Sequence, residues 1–245
     1  MRKAMVFAAG LGTRLKPLTD TMPKALVPVG GKPLLEHVLE KLIKAGYDSI
    51  VVNVHHFPDQ IIRFLDSRDW GAEILVSDER EALLETGGGV RHARGFLEGT
   101  GSFLIHNVDI LSNLDLDWFR LMQWPGSFAT LAVSERETQR YLLFDSNMRL
   151  VGWTNTATGE VRSPYGQIVP EHYRKYAFSG IHILSDGAFK VMENLPERFP
   201  IMDFYLEQCA QLRIYGVVPR NFRMVDVGKI QTLSEADSFL ENFQI

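Results

Sequence analysis

Lys3-Ala4-Met5-Val6-Phe7-Ala8-Ala9-Gly10-Leu11-Gly12-Thr13-Arg14-Leu15-Lys16-Pro17-Leu18-Thr19 decides the fold of this chain. Its first seven residues are a short apolar run ending at a glycine, the pattern of a buried strand that hands the backbone to a loop. Glycines let a backbone approach a ligand closely and turn its N–H groups inward, which suits a polyphosphate. The local charge agrees. Residues 1–32 hold Arg2, Lys3, Arg14, Lys16, Lys24 and Lys32 against Asp20 alone, a balance of +5 in a chain whose total is −4. The same run is too short for a signal peptide, since Gly10 and Arg14 interrupt it before the roughly 7–15 apolar residues an h-region needs.

Working outward, runs at 49–54, 72–76 and 102–106 have the same character, with helical patterns between them. Leu34-Leu35, Val38-Leu39 and Leu42-Ile43 recur at helical spacing after Pro33 and before Gly46, which predicts a helix; 58–65 and 89–94 are weaker helical candidates. This alternation predicts an α/β fold with right-handed crossovers and a mostly parallel, Rossmann-like sheet flanked by helices, ligands binding beyond the strands' carboxyl ends. From about Gln123 the pattern changes. Stretches 127–133, 141–144, 150–153 and 176–184 read as strands around an Asp145-Ser146-Asn147 turn, predicting an antiparallel insertion on the substrate side, with residues of roughly 130–200 as a lid. Helices at 202–211 and 230–241 bracket strands at 213–217 and 223–227, read as returning to the α/β core. Without repeats or a Gly/Ser linker, residues 1–245 read as a single domain of two halves, 1–125 and 126–245.

Composition excludes several classes. The net charge of −4 provides no global basic field, so neither nucleic acid nor membrane is an expected partner, and no stretch approaches the roughly 20 apolar residues of a membrane span. The single cysteine, Cys209, rules out an internal disulfide and points to a reducing cytoplasm; its expected place is the core. His55, His56 and His106 lack helical His-x-x-x-His spacing and read as loop or core residues. Trp70, Trp118, Trp124 and Trp153 read as packing anchors, and Ser112, Ser134 and Ser179 lack a Gly-x-Ser-x-Gly setting.

Two phosphate-binding fingerprints fail at defined positions. The dinucleotide motif needs glycine where Leu15 stands; the P-loop needs Ser or Thr where Pro33 stands and glycine at Leu26. What remains, Gly10-x-Gly12-Thr13-Arg14-x-x-Pro17-x-Thr19-x-x-x-Pro23-Lys24, resembles the signature of the sugar-1-phosphate nucleotidyltransferases. Glu85-Thr86-Gly87-Gly88-Gly89 resembles that family's second nucleotide-contacting turn, Asn107-Val108-Asp109 its metal-binding turn, and Val225-Asp226-Val227-Gly228 its second metal aspartate. With Phe178-Ser179-Gly180, the chain looks most similar to the N-acetylmuramate-α-1-phosphate uridylyltransferases and the mannose-1-phosphate guanylyltransferase-like members. It departs from many members at Val108 and at Leu142, where they carry glycine.

The resemblance implies a nucleotide-diphospho-sugar transferase fold with a nucleotide-binding first half and a sugar-phosphate-binding second half. It implies catalytic roles for Arg14 and Lys24, expected as exposed loop cations, and nucleotide contacts from Ala8, Ala9, Gly10, Gly12, Thr13, Thr86, Gly87 and Asn107. Asp109 and Asp226 would hold Mg²⁺, and Arg140, Tyr141, Ser179 and Gly180 would meet the sugar phosphate. Glu79 or Glu81, just before the glycine-rich turn, would accept an N–H of uracil or guanine and disfavour cytosine. The implied substrates are a nucleoside triphosphate and a sugar 1-phosphate, first UTP with an N-acetylmuramate-like sugar. Alternatives are GTP with mannose or heptose 1-phosphate, CTP with phosphocholine, or a non-catalytic nucleotide-sensing subunit, against which the presence of Arg14, Lys24, Asp109 and Asp226 argues. Without a hexapeptide-repeat tail, no second activity is expected, and the oligomeric state stays open.

Overall fold

Strand β1 (Lys3–Phe7) is covered on both faces, Ala4 and Val6 entering one apolar cluster and Met5 another. Side chains alternate along a strand, so an unbroken apolar run marks a strand between two layers. The computed structural model describes residues 1–243. After β1 come a short hairpin of β2 (Pro28–Val29) and β3 (Lys32–Pro33), α1 (Leu34–Lys44), β4 (Ser49–Val54), α2 (Pro58–Leu65), β5 (Glu73–Asp78), α3 (Glu85–His92), α4 (Arg94–Leu97) and β6 (Ser102–Asn107). β7 (Ile110–Ser112) and α5 (Leu116–Leu121) lead to β8 (Ala129–Ser134), β9 (Arg140–Phe144), β10 (Leu150–Asn155), β11 (Glu160–Arg162) and β12 (Arg174–Ser185). Then follow α6 (Ala188–Met192), α7 (Ile201–Gln208), β13 (Ile214–Val217), β14 (Met224–Asp226) and α8 (Leu233–Asn242).

The expected parallel core is present in the order β6-β1-β4-β5, with α1 and α2 buried against one face and α3, α4, α6 and α7 against the other. The antiparallel strands continue this same sheet. β12 spans the seam: Ile181–Ser185 pair with β6, Arg174–Tyr176 pair with β9, and β8 pairs beside them across a bulge between Phe178 and His182. β13 returns to the sheet as expected, parallel to β8. β14 does not. It pairs antiparallel with β7 in a separate two-stranded ribbon, Asp226 standing opposite Ile110. β7 has only three residues, too short for a period-2 pattern to declare it, so the partner of β14 was hidden in the sequence.

Cys209 is buried at the end of α7. Trp70 packs edge-on against Phe64 as an anchor, whereas Trp124 stacks on Tyr215 at the surface and is exposed. Among the described residues, no helix is long and apolar enough to cross a membrane.

Candidate active site

Beyond the carboxyl end of β1 lies a cavity of about 380 Å³ walled by Phe7, Ala8, Ala9, Gly10, Lys24, Asn53, Thr86, Asn107 and Asp109, among others. The loop at its edge is set by Gly12, whose φ is +64°, in the left-handed region, at the start of a 3-10 turn over Thr13–Leu15. A Cβ at Gly12 would stand 2.8 Å from Thr19 Cγ2, so conformation and space both demand glycine. Thr19 Oγ1 also donates to the Gly12 carbonyl at 2.8 Å. Gly12 and Thr13 shape this loop without lining the cavity, and Thr13 is exposed.

The start of the loop is held from behind. Ala8 N–H donates to Asn53 Oδ1 at 2.8 Å, and Asn53 Nδ2 donates to Glu79 Oε1 at 2.7 Å. Glu79 Oε2 accepts from Leu84 N–H at 3.3 Å. Glu79 is therefore not a base contact: it is buried, absent from the cavity wall, and both carboxylate oxygens are engaged by the protein. Burial pushes its pKa up, against the lowering effect of the Asn53 and Leu84 hydrogen bonds. Glu81 is exposed and also absent from the wall. Asn53 went unnoticed in the sequence; its signal was one amide inside the fully buried run of β4.

The glycine-rich turn needs a similar correction. Glu85 and Thr86 reach the cavity, but Gly87 does not: its N–H donates to the Phe199 carbonyl at 2.8 Å, and a Cβ on it would lie 2.3 Å from the Phe199 ring. Gly88 abuts the Glu197 carbonyl and Gly89 abuts Glu79 Oε1. These glycines let α3 settle on its neighbours.

At the inner end of the cavity Lys24 pairs with Asp109. Lys24 is 9% exposed, so it is a buried cation and not the expected solvated loop lysine. The ribbon of β7 and β14 brings Asp226 beside Asp109, with Val227 N–H donating to the Asp109 carbonyl at 2.8 Å. The protein around Asp226 and then the Asp109 charge raise its pKa, while Lys24, Arg14 and Arg136 pull it down. Gly228 fits between Asp226 and Arg14: a Cβ there would be 2.8 Å from Asp226 Oδ1 and 2.9 Å from Arg14 Nη2.

Arg14 and Asp226 also line a second cavity, of about 660 Å³, on the antiparallel half. Its walls include Arg136, Arg140, Leu142, Trp153, Arg162, Phe178, Asp203 and Lys229. Arg140, expected at the sugar phosphate, lines this cavity. Tyr141, expected beside it, does not line the cavity: its hydroxyl accepts from Thr138 N–H at 3.1 Å. Ser179 and Gly180 are buried in β12, and Gly180, with φ +73°, packs against Asn107 and Ile110. Gly180 supports the Asn107 turn from behind, and neither residue lines either cavity.

Two adjoining cavities meet at a pair of aspartates and two cations. Residues 3–123 match the Nucleotidyl transferase family. Over 251 residues the chain is 33% identical to the N-acetylmuramate alpha-1-phosphate uridylyltransferase of Caulobacter vibrioides, an alignment covering 97% of this chain and 96% of that protein. This chain belongs to the nucleotidyl transferase family. The protein of the same name from Neisseria meningitidis is 44% identical over 114 residues, 46% of this chain and 49% of that one. HddC from Yersinia pseudotuberculosis, in complex with GMP-PN, superposes with a TM-score of 0.76 at 23% identity over 98% of this chain and 100% of that one, a likeness of fold.

In this member of the nucleotidyl transferase family the positive balance of residues 1–32 is mostly directed away from the cleft. Arg2 pairs with Asp117 at 2.7 Å, Lys16 with Asp20 at 3.1 Å and Lys32 with Glu40 at 2.9 Å, while Lys3 donates to the Glu98 carbonyl at 2.8 Å. Arg14 and Lys24 are the cations of that segment that reach the two cavities. Arg136, Trp153, Arg162, Asp203 and Lys229, which also line the transferase's second cavity, carry no local motif that marks them in the sequence.

Proposed function

We propose that the enzyme transfers the uridylyl group of UTP to N-acetylmuramate 1-phosphate, giving UDP-N-acetylmuramate and pyrophosphate. The observation that carries this reading is the end-to-end likeness to the Caulobacter vibrioides protein named for that substrate. The meeting of Arg14, Lys24, Asp109 and Asp226 at the junction of the cavities supports it.

The acceptor phosphate is largely dianionic near pH 7, its second pKa being about 6. Its oxygen attacks the α-phosphorus of the triphosphate; a P–O bond forms there as the bond to the bridging oxygen breaks, and the electron pair leaves with pyrophosphate. No protein nucleophile is needed, so the chain's task is to position the reactants and stabilise charge. In this reading the Ala8–Gly10 backbone cradles the triphosphate, Thr86 and Asn107 contact the nucleoside, Lys24 meets the α-phosphate and Arg14 forks onto the leaving phosphates. Asp109 and Asp226 fit Mg²⁺, because two hard carboxylates stand side by side where burial first and the Asp109 charge second raise the pKa of Asp226, and a divalent cation would compensate both charges. Among the described residues no third His, Cys, Asp or Glu joins them, which suits an ion that completes its shell with phosphate oxygens and water. When bound, Mg²⁺ would neutralise charge on the phosphates.

Pyrophosphate release across four nucleoside triphosphates and a panel of phosphate acceptors tests this, with the highest kcat/KM expected for UTP and N-acetylmuramate 1-phosphate. Preference for GTP with mannose or heptose 1-phosphate, or for CTP with phosphocholine, would reassign the substrates. Nucleotide binding without turnover on any acceptor would make the chain a sensor.

A further inference from the structure

The second cavity holds two groups of positive charge. Arg14 and Arg136 both act on Asp226 and belong to the phosphoryl end. Arg140 and Arg162 arise from the antiparallel sheet. In the register of that sheet Leu142 faces Trp153 and Trp153 faces Arg162, and Arg140 lies two residues from Leu142 along β9. Side chains two apart on a strand share a face, so Arg140 and Arg162 stand on the face that presents Trp153 to the cavity. Leu142, Trp153 and Phe178 give that region an apolar wall suited to the C–H face of a sugar ring.

The two arginines differ in one respect. Arg162 Nη1 is paired with Asp203 Oδ1 at 2.8 Å. The Arg140 guanidinium, on an exposed residue of the cavity wall, has no hydrogen bond or ion pair among the described residues and is free to meet a ligand, only its backbone N–H being engaged, to Thr138 Oγ1 at 3.3 Å. A guanidinium is a planar fork matched to a carboxylate, whereas neutral sugar hydroxyls require no cation.

We propose that Arg140 is the docking point for a carboxylate carried by the acceptor sugar, with the Asp203-anchored Arg162 beside it, so that the acceptor is a sugar 1-phosphate bearing a second anionic group. This rests on the sugar-1-phosphate reading and adds the residue that selects among such sugars. The lactyl carboxylate of N-acetylmuramate is such a group. N-acetylglucosamine 1-phosphate lacks only that lactyl ether, which makes the two acceptors a matched pair.

The experiment is steady-state kinetics of the full chain with UTP and Mg²⁺ on both acceptors, for wild type, Arg140→Gln and Arg140→Lys. The wild type is expected to favour the carboxylate-bearing acceptor. Arg140→Gln should lower the ratio of the two kcat/KM values by about 10- to 100-fold, mainly through KM for N-acetylmuramate 1-phosphate, the scale of a lost charge-assisted hydrogen bond. Arg140→Lys should recover part of that ratio, restoring charge without the fork. Equal loss on both acceptors would make Arg140 a phosphate contact, and no loss on either would make it a surface arginine; each overturns the assignment. Wild-type preference for a neutral sugar 1-phosphate would also overturn it while leaving the reaction class intact. If the wild type uses no sugar 1-phosphate with any triphosphate, the reaction class itself fails, and this assignment with it.

Discussion

The two cavities that meet at Asp109 and Asp226 are built by opposite means. The smaller is walled chiefly by two short stretches of chain, the Phe7–Gly10 segment braced from behind by Asn53 and Glu79 and the Asn107–Asp109 turn, with Lys24, Thr86 and a few others closing it. The larger is walled by side chains drawn from β9, β10, β11, β12, α7 and the segment after β14. In the proposed reading the smaller cavity takes the triphosphate, which offers the same oxygens whatever its base, so main-chain N–H groups in a fixed curve can serve it. Sugars differ in their substituents, and variable side chains on a sheet can be exchanged without disturbing the backbone that holds them.

The largest expected effects separate the two cations. Arg14→Ala and Lys24→Ala should each lower turnover about 100- to 1,000-fold, the range for losing a group that stabilises transition-state charge. They should differ in stability. Lys24 is buried against Asp109, and removing it leaves a carboxylate uncompensated, for a loss of about 2 kcal/mol in denaturant unfolding; exposed Arg14 should cost less than about 0.5 kcal/mol. Identical melting of both variants and wild type would remove the contrast.

Gly87→Ala probes the packing behind the smaller cavity. Its Cβ would press into the Phe199 ring and carbonyl, and we expect a destabilisation of up to about 3 kcal/mol with a raised KM for the nucleotide. Wild-type stability would mean that α3 and the Phe199 segment can separate freely.

The seam between the two regions predicts a pH dependence. His106 on β6 and His182 on β12 are fully buried; burial lowers their pKa values to about 4 and about 3, and His106 further lowers that of His182. In the unfolded chain they take up protons as pH falls through about 6.5, while the folded protein refuses them until far lower pH. Their neutral burial therefore contributes full stability above pH 6.5, lost progressively below it. His182→Leu should flatten the fall in unfolding free energy between pH 7 and pH 5 by about 2 kcal/mol. An unchanged slope would place the protonation elsewhere.

The smallest effect belongs to the larger cavity. Gly228→Ala meets the movable ends of Asp226 and Arg14, so its melting temperature should stay near that of wild type while kcat/KM falls about tenfold as those ends are displaced. Destabilisation as large as that of Gly87→Ala would show that both cavities rest on rigid packing.

Much of the parallel half was legible. The runs at 49–54 and 58–65 coincide with β4 and α2 because each carries its own period and its own punctuation. The glycine loop was legible because Gly12 answers to its own φ and to Thr19, seven residues away. Glu79, Gly87, Ser179 and Gly180 were misread for a common reason: a motif shows which residue stands at a position and not which way it points. Glu79 is acidic to hold Asn53, Gly87 is small to admit Phe199, and Gly180 turns inward against Asn107.

From the sequence by itself came the α/β class, the glycine loop after β1 and the resemblance to a transferase family, since each depends on residues near one another along the chain. Tertiary structure alone decided that β14 pairs with β7, which puts Asp226 beside Asp109, that Lys24 is buried against Asp109, and that Arg140 and Arg162 share a face with Trp153. Those are contacts between segments far apart in sequence. Their partners are chosen by the burial and hydrogen bonding of the whole sheet, which no local pattern encodes.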